Sequence, residues 1–206
     1  TGGAYFFTHS NEMNQTIHQS YRAIELAILA GCNELFDQGK KRLDNDLGHV
    51  VIHIGASDPK RSWPINHWVE LVKLLSANLS INIVKTVESE VLITRLNDEG
   101  LHPSYFDGNL IELTHWLKNQ KCLIAPDSMA GHLAAHIGIP VVSIFGSQPK
   151  KLTRPLGKSC IVVSPDMLCG HKSNHWRLCA KCIGSIEPSK VELAVYSAIK
   201  FITNLS

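Results

Sequence analysis

The sequence predicts an α/β fold, a doubly wound parallel sheet, from three observations. Short apolar runs recur at residues 50–54, 81–84, 122–125 and 141–145, and most are closed by glycine or proline. Between them lie stretches of about a dozen residues or more with apolar positions at helical spacing, the pattern of parallel strands joined by crossover helices. Finally, 206 residues with 44% hydrophobic and 18% charged side chains can bury one sizeable core, which excludes a disordered tail.

Each element follows from local pattern. Ile17, Tyr21, Ile24 and Ile28 mark a first helix that Gly31 stops, and residues 37–46 are polar and turn-rich, as a linker is. Residues 1–48 therefore read as a connector, and residues 49–206 as the main domain. A strand at 50–54 runs into Gly55, and Trp68, Leu71, Val72 and Leu75 line one face of a helix. A strand at 81–84 leads to a helix near 88–99, a weak strand at 105–106, and a helix carrying Leu110, Leu113 and Leu117. The strand at 122–125 meets Pro126, and a helix of small residues follows over 130–136, with Gly138 as its C-cap. Strands at 141–145 and 160–163 come next. Pro188 opens a terminal helix marked by Val191, Val195, Ile199 and Ile202.

Several classes are excluded at once. No apolar run approaches the ~18 residues that span a bilayer. A net charge of +2, from 20 basic and 18 acidic side chains, is too balanced for a nucleic-acid-binding arm. The chain opens on Thr1 in place of Met, which leaves a preceding segment open. Cysteine usage points to a reducing, cytoplasmic setting: Cys32 and Cys122 sit among apolar residues, and the other four crowd the C-terminal third.

In doubly wound sheets the ligand lies beyond the C-terminal ends of the strands, which directs attention to two loops. The first is Gly55-Ala-Ser-Asp-Pro-Lys-Arg-Ser-Trp-Pro64. Its small residues let a ligand approach the backbone, Ser57 can donate a hydrogen bond, and Lys60 and Arg61 bring positive charge beside a helix start. That combination suits a diphosphate. A surface loop with two solvated cations is the plain alternative. Neither GxGxxG nor the phosphate-loop motif occurs.

The second loop is Pro126-Asp-Ser-Met-Ala-Gly-His132. Asp127 can cap the following helix and accept hydrogen bonds from ligand hydroxyls. Ser128 and the unpaired amides of Met129, Ala130 and Gly131 can face phosphate, and His132 falls one turn in, able to orient Asp127. An ordinary aspartate cap with structural histidines is the competing reading.

A third constellation joins Cys160, Cys169, Cys179 and Cys182, with His171 and His175 between them. A CxxC pair with upstream cysteines at loop spacing is a metal signature, and four thiolates suit Fe or Zn. Either histidine can replace Cys160 on zinc, and four reduced cysteines without metal remain the alternative. The expected role is structural, pinning a loop at about 160–185 that has little core.

Taken together, His53-Ile-Gly-Ala-Ser57, Lys60-Arg-Ser-Trp-Pro64, Asp127-Ser128 with His132, and Leu133-Ala-Ala-His-Ile-Gly-Ile-Pro140 running into Phe145-Gly146 form a specific string. The stretch from about residue 50 to 199 resembles the C-terminal, donor-binding half of glycosyltransferase family 9, the ADP-heptose heptosyltransferases. Two departures stand out. Many members carry glycine where this chain has Met129, and Lys85-Thr-Val-Glu88 lacks the family's glycine-rich turn. The resemblance implies a Rossmann-like C-terminal lobe of a GT-B glycosyltransferase, with Glu88 at the ribose and heptose passed with inversion to a protein or lipopolysaccharide acceptor. It also implies a catalytic base in an N-terminal lobe outside this segment, and no metal at the donor diphosphate. The cysteine-rich tail resembles the autotransporter heptosyltransferases, which bind iron and assemble into rings, so a homo-oligomer is implied. A non-enzymatic nucleotide-sugar-binding or metal-stabilised assembly module is the alternative function.

Overall fold

The computed structural model describes residues 16–32, 48–166 and 178–203, with side chains described as far as residue 200. Six strands, β1 (Val50–Ile52), β2 (Ile81–Val84), β3 (Ser104–Phe106), β4 (Cys122–Pro126), β5 (Val141–Ile144) and β6 (Cys160–Val163), form one sheet in the order β3-β2-β1-β4-β5-β6. All five strand pairings are parallel, and Val50 stands in register with both Ile81 and Cys122. The chain winds outward from β1 to β3, returns to the other side of β1 as β4, and winds outward again. That reversal leaves a crevice between the C-terminal ends of β1 and β4, the usual ligand position in open α/β sheets.

Helices α1 (Gln19–Leu29), α2 (Ile65–Ser76), α3 (Glu90–Asp98), α4 (Leu110–Leu117), α5 (Met129–Ile137), α6 (Lys150–Thr153), α7 (Ala180–Gly184) and α8 (Pro188–Thr203) complete the described elements. Alternation along the strands divides the core. Val50, Ile52, Ile124, Val142 and Ile144 face one cluster with Trp68, Leu71, Leu92 and Val195 of α2, α3 and α8. Val51, Leu123, Ala125 and Val141 face the other, with Leu113, Leu117, Ala130 and Ala134 of α4 and α5. Both faces are covered, which is why these strands read as unbroken apolar runs.

The predicted strands and helices are present, with shifted ends, and the linker expected at 37–46 lies outside the described residues. The strand expected at 50–54 ends at Ile52, and the helix near 88–99 begins at Glu90 after a 3₁₀ turn, Val87–Ser89. Gly138 caps α5 in the left-handed region, φ 92°, its amide turned to the Ala134 and Ala135 carbonyls. Helix α1 differs from expectation in its packing. None of its residues is buried, and Tyr21 and Ile28 lie exposed; the segment is instead tied down by the preceding His18. Helices α6 and α7, of four and five residues, are too short for a periodic signal. Among the described residues no helix is long and apolar enough to cross a membrane.

Candidate functional site

Three loops meet at the β1/β4 crevice and enclose a cleft of about 560 Å³. From β1 come His53, Gly55, Ala56, Ser57 and Arg61, and from the turn after β2 comes Glu88. The β4–α5 junction supplies Asp127, Ser128, Met129 and His132. Thr153 of α6 and Gln19 of α1 close the cleft.

The first loop is held at both ends. Upstream, the His53 amide bonds the Ile124 carbonyl at 3.0 Å and continues the ladder past β1. Downstream, Trp63 is buried, packs edge-on against Trp68 at 4.9 Å, and donates its indole N–H to the Ile186 carbonyl at 3.0 Å. The Trp-Pro pair therefore anchors the loop and leaves ligand contacts to the residues before it. Between the anchors, Asp58 caps a 3₁₀ turn, Pro59–Arg61, accepting the Lys60 amide at 2.8 Å. Arg61 enters the cleft from this turn. Lys60 stays exposed and does not line it.

The β4–α5 junction corrects one expectation. Asp127 does not cap α5; Ser128 occupies that position and makes no capping bond with its side chain. The Asp127 carboxylate instead pairs with the Arg61 guanidinium at 3.3 Å. The first amides of α5 thus keep no side-chain cap, and the buried Ser128 Oγ has no hydrogen-bond partner in the protein. Uncapped amides, a hydroxyl and a guanidinium beside one cleft are groups of the kind that can receive an anion. Ala130 and Gly131 supply only backbone here. Both are buried, and a Cβ on Gly131 would lie 3.3 Å from Pro155 Cγ and 3.4 Å from Ser143 Oγ.

Electrostatics follow from burial. Desolvation pushes Asp127 up, opposed by Arg61 and then His132. Burial lowers His132, opposed by Asp127, and His18 lowers it further. His53 is lowered by burial, against the pull of Glu88. Glu88 itself is held below the ordinary carboxylate range by its own backbone amide, by Thr86 and, less, by His53. At neutral pH the cleft therefore presents neutral imidazoles beside an Arg–Asp pair.

The structure brings Ser57, Arg61, Glu88, Asp127, Ser128, Met129 and His132 together, and leaves Lys60, Ala130 and Gly131 off the cleft surface. Sequence reasoning missed His53, Gln19 and Thr153 as site residues. Only His53 had a signal, its place at the C-terminal end of the first strand.

Of the predicted cysteine set, the described members lie on two elements, β6 and α7. Cys160 begins β6 opposite Val141, at the N-terminal edge of the sheet, where burial pushes its thiol to about 11. Cys179 caps α7, and the Cys182 amide bonds the Cys179 carbonyl at 3.2 Å, so that pair sits one turn apart. Helix α7 packs against the Pro59–Arg61 turn, and Ile183 lies against Gly146 just past β5, at the opposite edge from Cys160. Cys169, His171 and His175 lie outside the described residues. Among the described residues no three His, Cys, Asp or Glu side chains are grouped to hold a metal.

A six-stranded parallel sheet in this order, flanked by helices and with a polar cleft at its switch point, is that of a Rossmann-like lobe, as in GT-B folds. Residues 5–180 match the model of glycosyltransferase family 9 (heptosyltransferase), and the chain belongs to that family. No curated protein sequence matches it. Among solved structures it is similar to the E. coli heptosyltransferase WaaC with ADP, at 18% identity and TM-score 0.70, covering 94% of this chain and 61% of that one. A family 9 glycosyl transferase from Veillonella parvula gives 14% and 0.73, with 96% and 65% covered. The iron-containing dodecameric glycosyltransferase TibC from enterotoxigenic E. coli gives 15% and 0.55, with 83% and 51% covered. The chain therefore spans less than two thirds of the length of these structures.

Proposed function

We propose that this chain is the donor-binding lobe of a heptosyltransferase and takes ADP-heptose as its nucleotide sugar. The observation that carries the reading is the Arg61–Asp127 pair standing across the switch point beside the uncapped start of α5. Arg61 and the α5 amides hold the diphosphate, Asp127 faces sugar hydroxyls, and Glu88 at the β2 side accepts from the ribose. The family membership and the solved structures with ADP and with an ADP-heptose analogue support the choice of nucleotide.

In the reaction an acceptor hydroxyl attacks the anomeric carbon, the bond from that carbon to the β-phosphate oxygen breaks, and ADP leaves with the electron pair. Charge grows on the phosphate as the bond breaks, and donors already aimed there favour the transition state over the ground state. Attack from the face opposite the leaving group inverts the anomeric centre. The base that takes the hydroxyl proton comes, in this reading, from an acceptor-binding lobe beyond the chain. The acceptor is a lipopolysaccharide core or a protein, and the setting is cytoplasmic.

A structural Fe or Zn fits two of the predicted ligands, since Cys179 and Cys182 share one turn at α7. Cys169 with His171 or His175 would supply the rest, and Cys160 would not take part. The metal would hold α7 against the Arg61 turn, with no role at the diphosphate. A homo-oligomer like that of TibC belongs to the same reading.

Thermal-shift titration of the chain with ADP, ADP-heptose and UDP tests the donor assignment. Stabilisation by both adenine nucleotides, and little by UDP, supports it. No shift with either adenine nucleotide refutes it and leaves the non-enzymatic assembly module.

A further inference from the structure

One wall of the cleft is built from elements far apart in the chain. Gln19 opens α1 and Thr153 closes α6, and both line the cleft beside His132. The order of the lining elements across the sheet gives the cleft a direction. Glu88 follows β2, Ser57 and Arg61 follow β1, Asp127 follows β4, and Thr153 follows β5. With the diphosphate at the switch point and the nucleoside towards β2, the end beside Gln19 and Thr153 is left for the transferred sugar. This placement rests on the donor-binding reading.

His18 holds that wall. His18 is 7% exposed, and its Nδ1 accepts the Ser20 amide at 3.1 Å while Nε2 lies 2.9 Å from the Arg154 carbonyl. With Nδ1 accepting, Nε2 is the nitrogen that carries the proton and donates to the Arg154 carbonyl. The end of α6 is thus held by an imidazole from a distant part of the chain. His132 and Thr153 line the same cleft. The Thr153 hydroxyl is buried and has no hydrogen-bond partner in the protein.

We propose that Gln19 and Thr153 form a subsite that selects the hydroxyls of the transferred sugar, with His18 the positioning residue that holds α1 in place to complete it. An amide and a hydroxyl offer neutral donors and acceptors, which match a polyhydroxylated ring and give no charge to favour phosphate. A hydroxyl left buried and unpaired costs free energy, and a sugar hydroxyl at that point removes the cost.

Calorimetry on the full chain with ADP and with ADP-heptose tests this. Gln19→Ala and Thr153→Val should each weaken ADP-heptose roughly three- to tenfold, the worth of one neutral hydrogen bond, and change ADP by less than about twofold. His18→Asn keeps an acceptor at the cap of α1 but is too short to reach Arg154. It should reproduce the selective loss with helix content unchanged by circular dichroism, and His18→Gln should restore the sugar affinity. Thr153→Val that raises thermal stability with ADP-heptose affinity unchanged, or Gln19→Ala that weakens both nucleotides alike, overturns the subsite while the donor reading stands. A wild-type chain that binds neither nucleotide overturns the donor reading, and the subsite with it.

Discussion

Arg61 Nη1 stands 3.3 Å from Asp127 Oδ2, joining the loop after β1 to the loop after β4 across the switch point. Asp127 is nearly buried and Arg61 about a quarter exposed, so each charge depends on the other for compensation. A bound diphosphate would share the guanidinium and leave the carboxylate turned to the sugar. That arrangement divides the labour of the cleft and sets the first expectation.

Charge reversal at the two neighbouring cations should give unequal results. Arg61→Glu should weaken ADP binding roughly 10- to 100-fold, since it removes one charge-assisted contact and adds repulsion. Lys60→Glu, on the exposed side of the same turn, should cost less than about threefold at moderate salt. Isothermal titration at two salt concentrations separates the two. Equal losses would mean that Lys60 also reaches the ligand.

Gly146 packs so closely on α7 that a methyl group has no room. A Cβ there would lie 2.9 Å from Ile183 Cβ and 3.1 Å from the Ile183 nitrogen. Gly146→Ala should destabilise the chain by about 1–3 kcal/mol, the usual cost of overpacking. Gly184→Ala meets only Pro64 Cγ, at 3.5 Å, and should stay within about 0.5 kcal/mol of wild type. Urea denaturation of both variants measures the contrast, and an unaffected Gly146→Ala would show that α7 is not seated on β5.

Acid should loosen the cleft before it unfolds ordinary carboxylate contacts. His53 and His132 are both held below their ordinary 6.5, so the folded chain binds fewer protons there than the unfolded chain. Their contribution to stability is present above pH 6.5 and is lost as pH falls through the lowered values. His53→Gln should flatten the fall in unfolding free energy between about pH 7 and 5. An unchanged slope would place the His53 ring in water.

Metal removal should reach the phosphate loop, because α7 packs against the Pro59–Arg61 turn. Elemental analysis should find about one Fe or Zn per chain, as one four-ligand site implies. Chelation, or Cys179→Ser with Cys182→Ser, should lower thermal stability and weaken ADP binding. Cys160→Ser should leave the metal in place. Loss of metal on Cys160→Ser would return that residue to the ligand set.

The fold was legible because its strands are covered on both faces. Val50, Val51 and Ile52 alternate between two cores and so are apolar without a break, as are Leu123, Ile124 and Ala125. The motif residues on the loops after β1 and β4 were legible for a related reason, since a doubly wound sheet fixes where such loops end. What stayed hidden depends on geometry finer than spacing. A 3₁₀ turn capped by Asp58 sends Arg61 inward and leaves Lys60 in water, and no periodicity distinguishes two adjacent cations. Asp127 had the right chemistry for a cap but found a stronger partner in Arg61, which lies in another loop. Gln19 stands at the cleft with Thr153 where His18 meets the Arg154 carbonyl, across 136 positions of sequence. The cysteine set is a different case, since Cys169 lies outside the described residues and Cys160 and the Cys179–Cys182 pair stand on different elements.

The most direct test is a pair of titrations, ADP-heptose and ADP, into the wild-type chain and its Asp127→Ala variant. If Asp127 faces the sugar, the variant should lose at least about tenfold in ADP-heptose affinity, the worth of a charge-assisted hydrogen bond, and much less for ADP. Equal losses for the two nucleotides, or no loss for either, would contradict the placement of the sugar at the β4 side of the switch point.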